Sequence, residues 1–530
     1  AVVVARYMGL VDVSRVTVPT DKALPAETFA KLPVANYVDS LVYGRLKELA
    51  IAPSGRCTDE EFLRRASLDI AGALPTPDEA RKFLADTDPD KRNKLIDRLL
   101  ESPTFADHWA NKWGDLLRPN PYRAGVKGVY LFDQWIRDSF RQNKPLDQFA
   151  REILTAQGST HRYGPAVFFR DRREPTEVTT FVSQVFLGLR LECAKCHHHP
   201  SEKWKQEDFY QFAAFFGQIK RKGQGISAPI SGEAEFIWTG ASGKGEVKHP
   251  VTGETMKPKA PDAPLPTLAD GQDPRGLLAE WVTNPANPFF ARATANRVWN
   301  EMLGRGIVHP VDDFRVSNPP ANAPLLDALA KDLAYHKYDL KHLVRTIARS
   351  NIYQISSIPN ETNSADAKNF SRYYRKRPAA EVALDAVCDV TGVPENLGGL
   401  APGSRATQVW NNRLDSEFLD AFGRPNPSAD PPCERERTQS IVQALHLMNS
   451  SKLTSKIASP TGRAAKLAEG KFTPQQIVEE LYLSAYSRLP TADEMKLAVA
   501  AFAADGATRK SATEDVMWAL VNSAEFVFNH

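Results

Sequence analysis

Two cysteines three positions apart, followed at once by three histidines, form the densest group of ligand-type side chains in this sequence: Cys193-Ala194-Lys195-Cys196-His197-His198-His199. Thiols and imidazoles so spaced can do three kinds of chemistry. Read as C-x-x-C-H, the two thiols add across the vinyl groups of a haem, the spacer matching the separation of those groups along one helical turn, and His197 lies beneath the ring as the proximal iron ligand. Read as a metal cluster, Cys193 and Cys196 with His197 or His199 give zinc or non-haem iron three ligands, His198 adds an option, and a fourth ligand comes from Cys57, Cys433 or a remote histidine. Read as a dithiol, the pair is a redox couple. No second C-x-x-C or H-x-x-H element stands nearby, and no thioredoxin-like βαβ pattern surrounds the cluster. One covalent c-type haem is therefore the leading reading and zinc the alternative.

The neighbourhood suits a porphyrin. Phe181 and Phe186 precede the cluster, and Trp204, Phe209, Tyr210, Phe212, Phe215 and Phe216 follow it. Arg190, Lys195, Lys203 and Lys205 are of the right charge for propionates. The plainer account is that aromatics at helical spacing are core, and that basic side chains are a solvated face. A sixth iron ligand would favour electron transfer, whereas an open position would admit peroxide. Its candidates are His108, His161, His249, His309, His336, His342, His446 and Met448, each taken alone more plausibly an ordinary residue. His199 is too close to His197 to reach the opposite haem face.

The elements that position this cluster are mostly helices. A helical pattern over 176–191 leads toward it, and another over 206–217 leaves it. Upstream, Val38, Leu41, Val42 and Leu49 share one helix face, and Thr58-Asp59-Glu60-Glu61 and Thr76-Pro77-Asp78-Glu79 spell capping boxes. Further helices are expected at 89–101, 104–118, 128–142 and 146–156. Residues 1–20 are strand-rich, and 218–270 are rich in glycine, proline and lysine, with alternation at Glu235-Phe236-Ile237-Trp238. Helices resume at Asp273 and run to His530, with loop-rich intervals at 352–378 and 396–432. The fold class expected is mainly α, with a helical domain at 21–217, an irregular β-containing insertion at 218–270 and a second helical domain at 271–530.

A chain of 530 residues exceeds the usual single domain, and 42% apolar with 25% charged residues suits a globular core. With 67 basic against 64 acidic residues, the net charge of +3 gives no electrostatic reason for a nucleic-acid or membrane partner. No apolar run approaches the roughly 18 to 20 residues of a transmembrane helix, and the opening Ala1-Val2-Val3-Val4 has no signal-peptide form. Five cysteines are too few for a disulfide scaffold. Cys57 and Cys433 are either a long-range bridge or separate thiols, and Cys388 reads as a small buried hydrophobe. Asp312-Asp313 and Glu434-Arg435-Glu436-Arg437 read as salt bridges, since no nucleophile, phosphate loop, EF-hand or G-x-S-x-G spelling accompanies them.

Motifs along the whole chain resemble the planctomycete cytochrome-like family. Those of its first domain are Phe62-Leu63-Arg64-Arg65, Leu68-Asp69-Ile70, Leu74-Pro75-Thr76-Pro77-Asp78-Glu79, Trp113-Gly114-Asp115-Leu116-Leu117-Arg118, Gln184-Val185-Phe186-Leu187-Gly188 and the Cys-Ala-x-Cys-His-x-His-Pro core at 193–200. Those of its second are Asp273-Pro274-Arg275, Asn296-Arg297-Val298-Trp299, Gly304-Arg305-Gly306-Ile307-Val308, Pro310 to Arg315, Asn318-Pro319-Pro320, Phe422-Gly423-Arg424-Pro425 and the terminal Glu525 to His530. The resemblance implies a cytochrome-like domain followed by a second domain of uncharacterised role. Members of that family often carry Ig-like or small cytochrome domains upstream, and residues 1–20 are similar to the junction that follows an Ig-like domain. His198 departs from the family, which commonly has an acidic residue there.

The expectation is thus an extracytoplasmic haem c protein, periplasmic or at the cell surface, acting in electron transfer or redox sensing with an unknown redox partner or cell-surface assembly. A peroxidase-type haem enzyme and a non-catalytic zinc-binding scaffold are the alternatives, and whether the chain is an enzyme is left open.

Overall fold

The structure is a computed structural model that describes residues 2–7, 10–20, 24–25, 27–117, 119–223, 232–240, 245–410, 414–425 and 441–530. It is mainly α, with two small sheets. Strands β1 (Val2–Tyr7) and β2 (Leu10–Arg15) pair as an antiparallel hairpin, Val2 opposite Arg15. Cys433 and the Glu434-Arg435-Glu436-Arg437 run lie outside the described residues.

Helix starts follow the local chemistry read from the sequence. Asn36 caps α1 (Tyr37–Glu48), Thr58 caps α2 (Asp59–Ala66) and Thr76 caps α3 (Pro77–Ala85). Each cap takes a backbone N–H that the first helical turn leaves without a partner, and the carboxylate three residues on takes the cap's own N–H. Between α2 and α3 the chain winds through a π-turn, Ser67–Ala71, closed by Gly72 in the left-handed region. An ideal Cβ on Gly72 would lie 2.3 Å from His108 Nδ1, so this turn depends on glycine both for its φ and for its space.

Downstream come α4 (Lys91–Leu100), α5 (Pro103–Leu117), α6 (Val126–Arg141), α7 (Leu146–Leu154) and α8 (Pro175–Leu187). The two helices flanking the cysteine cluster are shorter than the sequence pattern suggests. Helix α8 stops at Leu187 rather than 191, because Gly188 turns left-handed there and a Cβ on it would meet Phe314 at 2.6 Å. Helix α9 (Gln206–Ala213) passes into a 3-10 turn at Ala214–Phe216.

Strand β5 (Glu235–Thr239) of the glycine- and lysine-rich excursion lies between β4 (Ile219–Gly223) and the two-residue β3 (Gly158–Ser159), both antiparallel to it. Glu235 is buried there and takes both ends of the Arg173 guanidinium, at 2.9 and 3.1 Å. The excursion is therefore knitted into the helical region that precedes it.

The buried apolar residues fall into two clusters. The first runs from Val38 to Tyr373, is joined by Leu483, and takes in α10 (Pro274–Thr283), α11 (Phe290–Leu303), α12 (Ala323–Tyr335) and α13 (Leu340–Arg349). The second gathers α14 (Ala380–Thr391), α15 (Pro474–Tyr486) and α16 (Arg509–Val521), and reaches back to Leu68 and Leu74. Leu68 and Ile70, two positions apart in the π-turn, thus belong to different cores. Cys388, on α14, is half-buried beside the second core, and burial pushes its thiol up to about 11.

Near the C-terminus Arg488 holds two carboxylates, Glu494 at 2.7 Å and Glu525 at 2.7 and 2.8 Å. The Arg488 hydrogen bond is the main cause that holds Glu494 down to about 2, from 4.5. Above pH 4.5 Glu494 is ionised in folded and unfolded chains alike, and its contribution to stability is complete. As the pH falls from 4.5 toward 2 the unfolded chain takes up the proton first, so that contribution is lost. Glu494→Gln is expected to flatten the fall in urea midpoint between pH 5 and pH 3. An unchanged slope would remove Glu494 as a source of it. The pair is partly exposed, so the effect is small and weakens with added salt.

Candidate functional site

After α8 the chain passes through Leu189 and Leu191, both buried, and enters a 3-10 turn at Glu192–Lys195. Ala194 points into the core with no exposed surface, which turns the residues on either side outward. Cys193 and Cys196 are both exposed, and neither is in a disulfide. The amide N–H of Cys196 and that of His197 both donate to the Cys193 carbonyl at 3.4 Å, so both thiols and the following imidazole sit on one turn of chain.

The three histidines are not equivalent. His197 Nδ1 lies 2.7 Å from the His198 carbonyl, and a carbonyl only accepts, so Nδ1 carries the proton and Nε2 keeps a free lone pair. His198 Nδ1 accepts instead from the Gln206 amide at 3.1 Å, and His199 Nδ1 from the Ser201 amide at 3.1 Å. Those two rings in their neutral form carry the proton on Nε2 and have no lone pair to offer. Burial, then the nearby Arg315 charge, lowers the His199 pKa, which keeps that ring neutral. His197 is thus the ligand-ready imidazole of the three, and His198 and His199 are structural pins of the loop.

Pins also come from the segment after α11. Asp312, buried, takes Arg190 at 2.6 Å and the amide of Gln184, and Asp313 takes Arg315 at 2.6 Å. Burial pushes the Asp312 carboxyl up, but the Arg190 and Gln184 hydrogen bonds outweigh it and hold it below the usual range. Glu202 is buried as well and accepts from the Val316 amide at 3.4 Å. The acidic pair at 312–313 is therefore made of salt bridges, and it fastens the cysteine loop to the second helical region.

The aromatic neighbours mostly face away. Phe181, Phe186, Trp204, Phe209, Phe212, Phe215 and Phe216 are buried members of the first core. Tyr210 is the exception: half-buried, it donates its hydroxyl to the Lys195 carbonyl at 3.2 Å. Of the basic residues, Arg190 is engaged with Asp312 and Lys203 with Asp262 at 2.6 Å, whereas Lys195 and Lys205 are exposed.

The candidates for a sixth ligand are scattered. His249 is the one beside the loop, its ring 5.9 Å from that of Tyr210, but its Nδ1 accepts from the Val251 and Thr252 amides at 3.3 Å. His108 is buried, donates Nε2–H to the Asp69 carbonyl at 3.2 Å and lines the cavity behind the loop. His446 packs on Phe418 and Phe422, His161 is half-buried and Met448 is exposed. His336 and His342 stack on each other, their ring centroids 3.6 Å apart.

Behind the loop lies a cavity of about 460 Å³, walled by α5, α8, α11, the π-turn and the segment 376–382. His309 lines it, as do Gln184 and Asp312, which form the wall it shares with the loop's anchor. At its base Asp69 receives hydrogen bonds from Tyr353 at 3.0 Å, Tyr373 at 2.8 Å and Asn529 at 2.7 Å, and an ion pair from Lys376 at 3.0 Å. Burial lowers Lys376 to about 8, against the raising effect of Asp69. The sequence reading passed over this hub. Asp69 stands alone among apolar neighbours, and that mismatch is the one local sign of a buried, paired carboxylate.

Two family models match the chain in order: PSCyt2, a protein of unknown function (DUF1549), over residues 37–221, and PSD1, a protein of unknown function (DUF1553), over residues 274–502. This is the domain order of the planctomycete two-domain family, and the first match contains the cysteine cluster. No curated protein and no solved structure matches the chain. No helix among the described residues is long and apolar enough to cross a membrane.

Proposed function

We propose that this PSCyt2–PSD1 chain carries one c-type haem on Cys193, Cys196 and His197, outside the cytoplasm, and exchanges single electrons with a partner protein at its surface. The observation that carries the reading is the His197 imidazole: its Nδ1–H is tied to a backbone carbonyl, its Nε2 lone pair is free, and two exposed, unbridged thiols stand on the same turn. A tied Nδ1–H fixes the tautomer and orientation of a metal-binding imidazole. A haem held there supplies reversible one-electron exchange at its iron.

The chain's own residues do the rest. Cys193 and Cys196 would hold the group through two thioethers, each thiol adding across a vinyl group with its hydrogen going to the neighbouring carbon, so that no oxidant would be needed. Arg190, Glu202 and Asp312 hold the loop rigid against the second helical region. Because both thiols are exposed, the group would sit at the surface, open to a partner, which favours electron transfer over a closed peroxidase pocket. Attachment of this kind is made outside the cytoplasmic membrane, which gives the location. A zinc site is disfavoured because His198 and His199 already use Nδ1 as acceptors. Nor, among the described residues, do the cluster's donor atoms gather within 4.8 Å of one another as three ligands.

The test is a reduced-minus-oxidised absorption spectrum and an intact mass of the chain made in a host with cytochrome c maturation. A sharp c-type α-band and a mass raised by one whole haem are expected, since addition loses no atoms. A low-spin spectrum fits the carrier role, and a high-spin one fits the peroxidase. A colourless chain of unmodified mass overturns the proposal.

A further inference from the structure

Among the described residues, three donor atoms of His, Cys, Asp or Glu lie within 4.8 Å of one another at one group, Asp332, His336 and His342. Asp332 and His336 are four residues apart at the end of α12, so they share a face. His342 stands in the first turn of α13, across a sharp reversal. That reversal is made by Lys337 and Tyr338, both at φ 56°, a left-handed conformation costly for L side chains. Tyr338 is pinned by burial, its ring 5.4 Å from Phe290, and this holds the strained turn in place.

The result brings three ligand-type groups together. His336 Nδ1 is 3.1 Å from Asp332 Oδ1 and 3.0 Å from the Asp332 backbone carbonyl, and His342 Nε2 is 3.0 Å from Oδ2 and 3.4 Å from the Thr346 hydroxyl. An ion bound here displaces the proton that His336 Nδ1 gives to the Asp332 acceptors. The two imidazoles stack at 3.6 Å with planes 21° apart, so one ring turns about its side-chain bonds for both in-plane lone pairs to meet a single ion. A dication suits the three groups, because neutral imidazole and ionised carboxylate are the forms that bind it. Tyr37 donates its hydroxyl to Asp332 Oδ2 at 3.0 Å, the kind of outer contact that orients a ligating carboxylate. The side chains are 17%, 39% and 24% exposed for Asp332, His336 and His342, leaving a path for an ion from solvent.

We propose that Asp332, His336 and His342 form a binding site for one divalent ion of the zinc class, with water completing the coordination. Two imidazoles and one carboxylate suit zinc, cobalt or nickel, and would not discriminate strongly for calcium or magnesium, which prefer all-oxygen sites. The site is separate from the cysteine loop and does not rest on the haem proposal.

The test is titration of the full-length chain with Co²⁺, followed by its absorption, and with Zn²⁺, followed by calorimetry and by the melting temperature. One Co²⁺ is expected to bind with ligand-field bands and no thiolate charge-transfer band. His336→Ala and His342→Ala should each weaken it by at least about tenfold, and Cys193→Ala with Cys196→Ala should leave it unchanged. Zn²⁺ should raise the melting temperature of the wild type but not of either histidine variant. His336 is the most exposed of the three, so its variant reports even if His342→Ala folds poorly, and far-UV circular dichroism verifies the fold. Absence of binding, unchanged affinity in the histidine variants, or a thiolate band that disappears with the cysteines would each overturn the proposal. The last would move the metal to the cysteine loop and so count against the haem reading too.

Discussion

Replacing Cys193 and Cys196 together by alanine is expected to take covalent haem from one per chain to none, with the far-UV circular dichroism and melting transition of the haem-free chain unchanged. Both side chains are exposed, so their loss opens no cavity, and surface changes of this size cost at most about 0.5 kcal/mol. His197→Ala separates the roles within the motif: the thioethers still form, the intact mass still rises, but the spectrum loses the signature of an imidazole-bound iron. His198→Asn and His199→Asn should leave both mass and spectrum as in the wild type. In each, the asparagine oxygen stands in for the Nδ1 that accepts from Gln206 or Ser201. Equal damage from His197→Ala and His199→Asn, with zinc rather than haem bound in the wild type, would replace the haem reading with a metal cluster.

What the sequence made legible was whatever short-range chemistry determines. Capping boxes at Thr58 and Thr76, the Asp313–Arg315 ion pair and the mainly helical class follow from patterns a few residues long, whereas Asp312 is paired by the distant Arg190. The end of α8 was overrun by four residues because Gly188 resembles a tolerated helix glycine until Phe314, far along the chain, is seen to press on it. The aromatics around 204–216 carry the right spacing for a haem wall, yet spacing alone does not say whether a stripe meets a cofactor or the core, and here it meets the core. The three histidines looked alike in sequence. They differ through backbone amides at Ser201 and Gln206 that only the folded loop brings to them. Asp332, His336 and His342 went unread as a group because their spacing crosses a turn whose two left-handed residues, Lys337 and Tyr338, carry no glycine to announce it.

Asp69 is the position where substitution should cost the fold most. Asp69→Ala is expected to destabilise the chain by about 3–5 kcal/mol, the range for removing one partner of a buried ion pair. Four donors depend on this carboxylate: Tyr353, Tyr373, Asn529 and Lys376. Without it the Lys376 ammonium is buried with the backbone carbonyls of Glu301 and Met302, the Tyr373 ring and the Glu301 charge for company, and two tyrosine hydroxyls lose their acceptor. Asp69→Asn should be nearly as damaging, since its amide presents N–H groups where donors already point. Lys376→Met should cost less, because the carboxylate keeps three hydrogen bonds. The effect should also be visible in the shape of the transition. Leu68 and Ile70 belong to different apolar cores, and Asp69 between them gathers side chains from 353–376 and from the C-terminal end at 529. Loosening that junction should separate the melting of the two cores, giving a broadened or two-step urea transition where the wild type is expected to give a single one. A single sharp transition with less than about 1 kcal/mol lost would show that the junction is carried by apolar packing alone, with the polar hub dispensable.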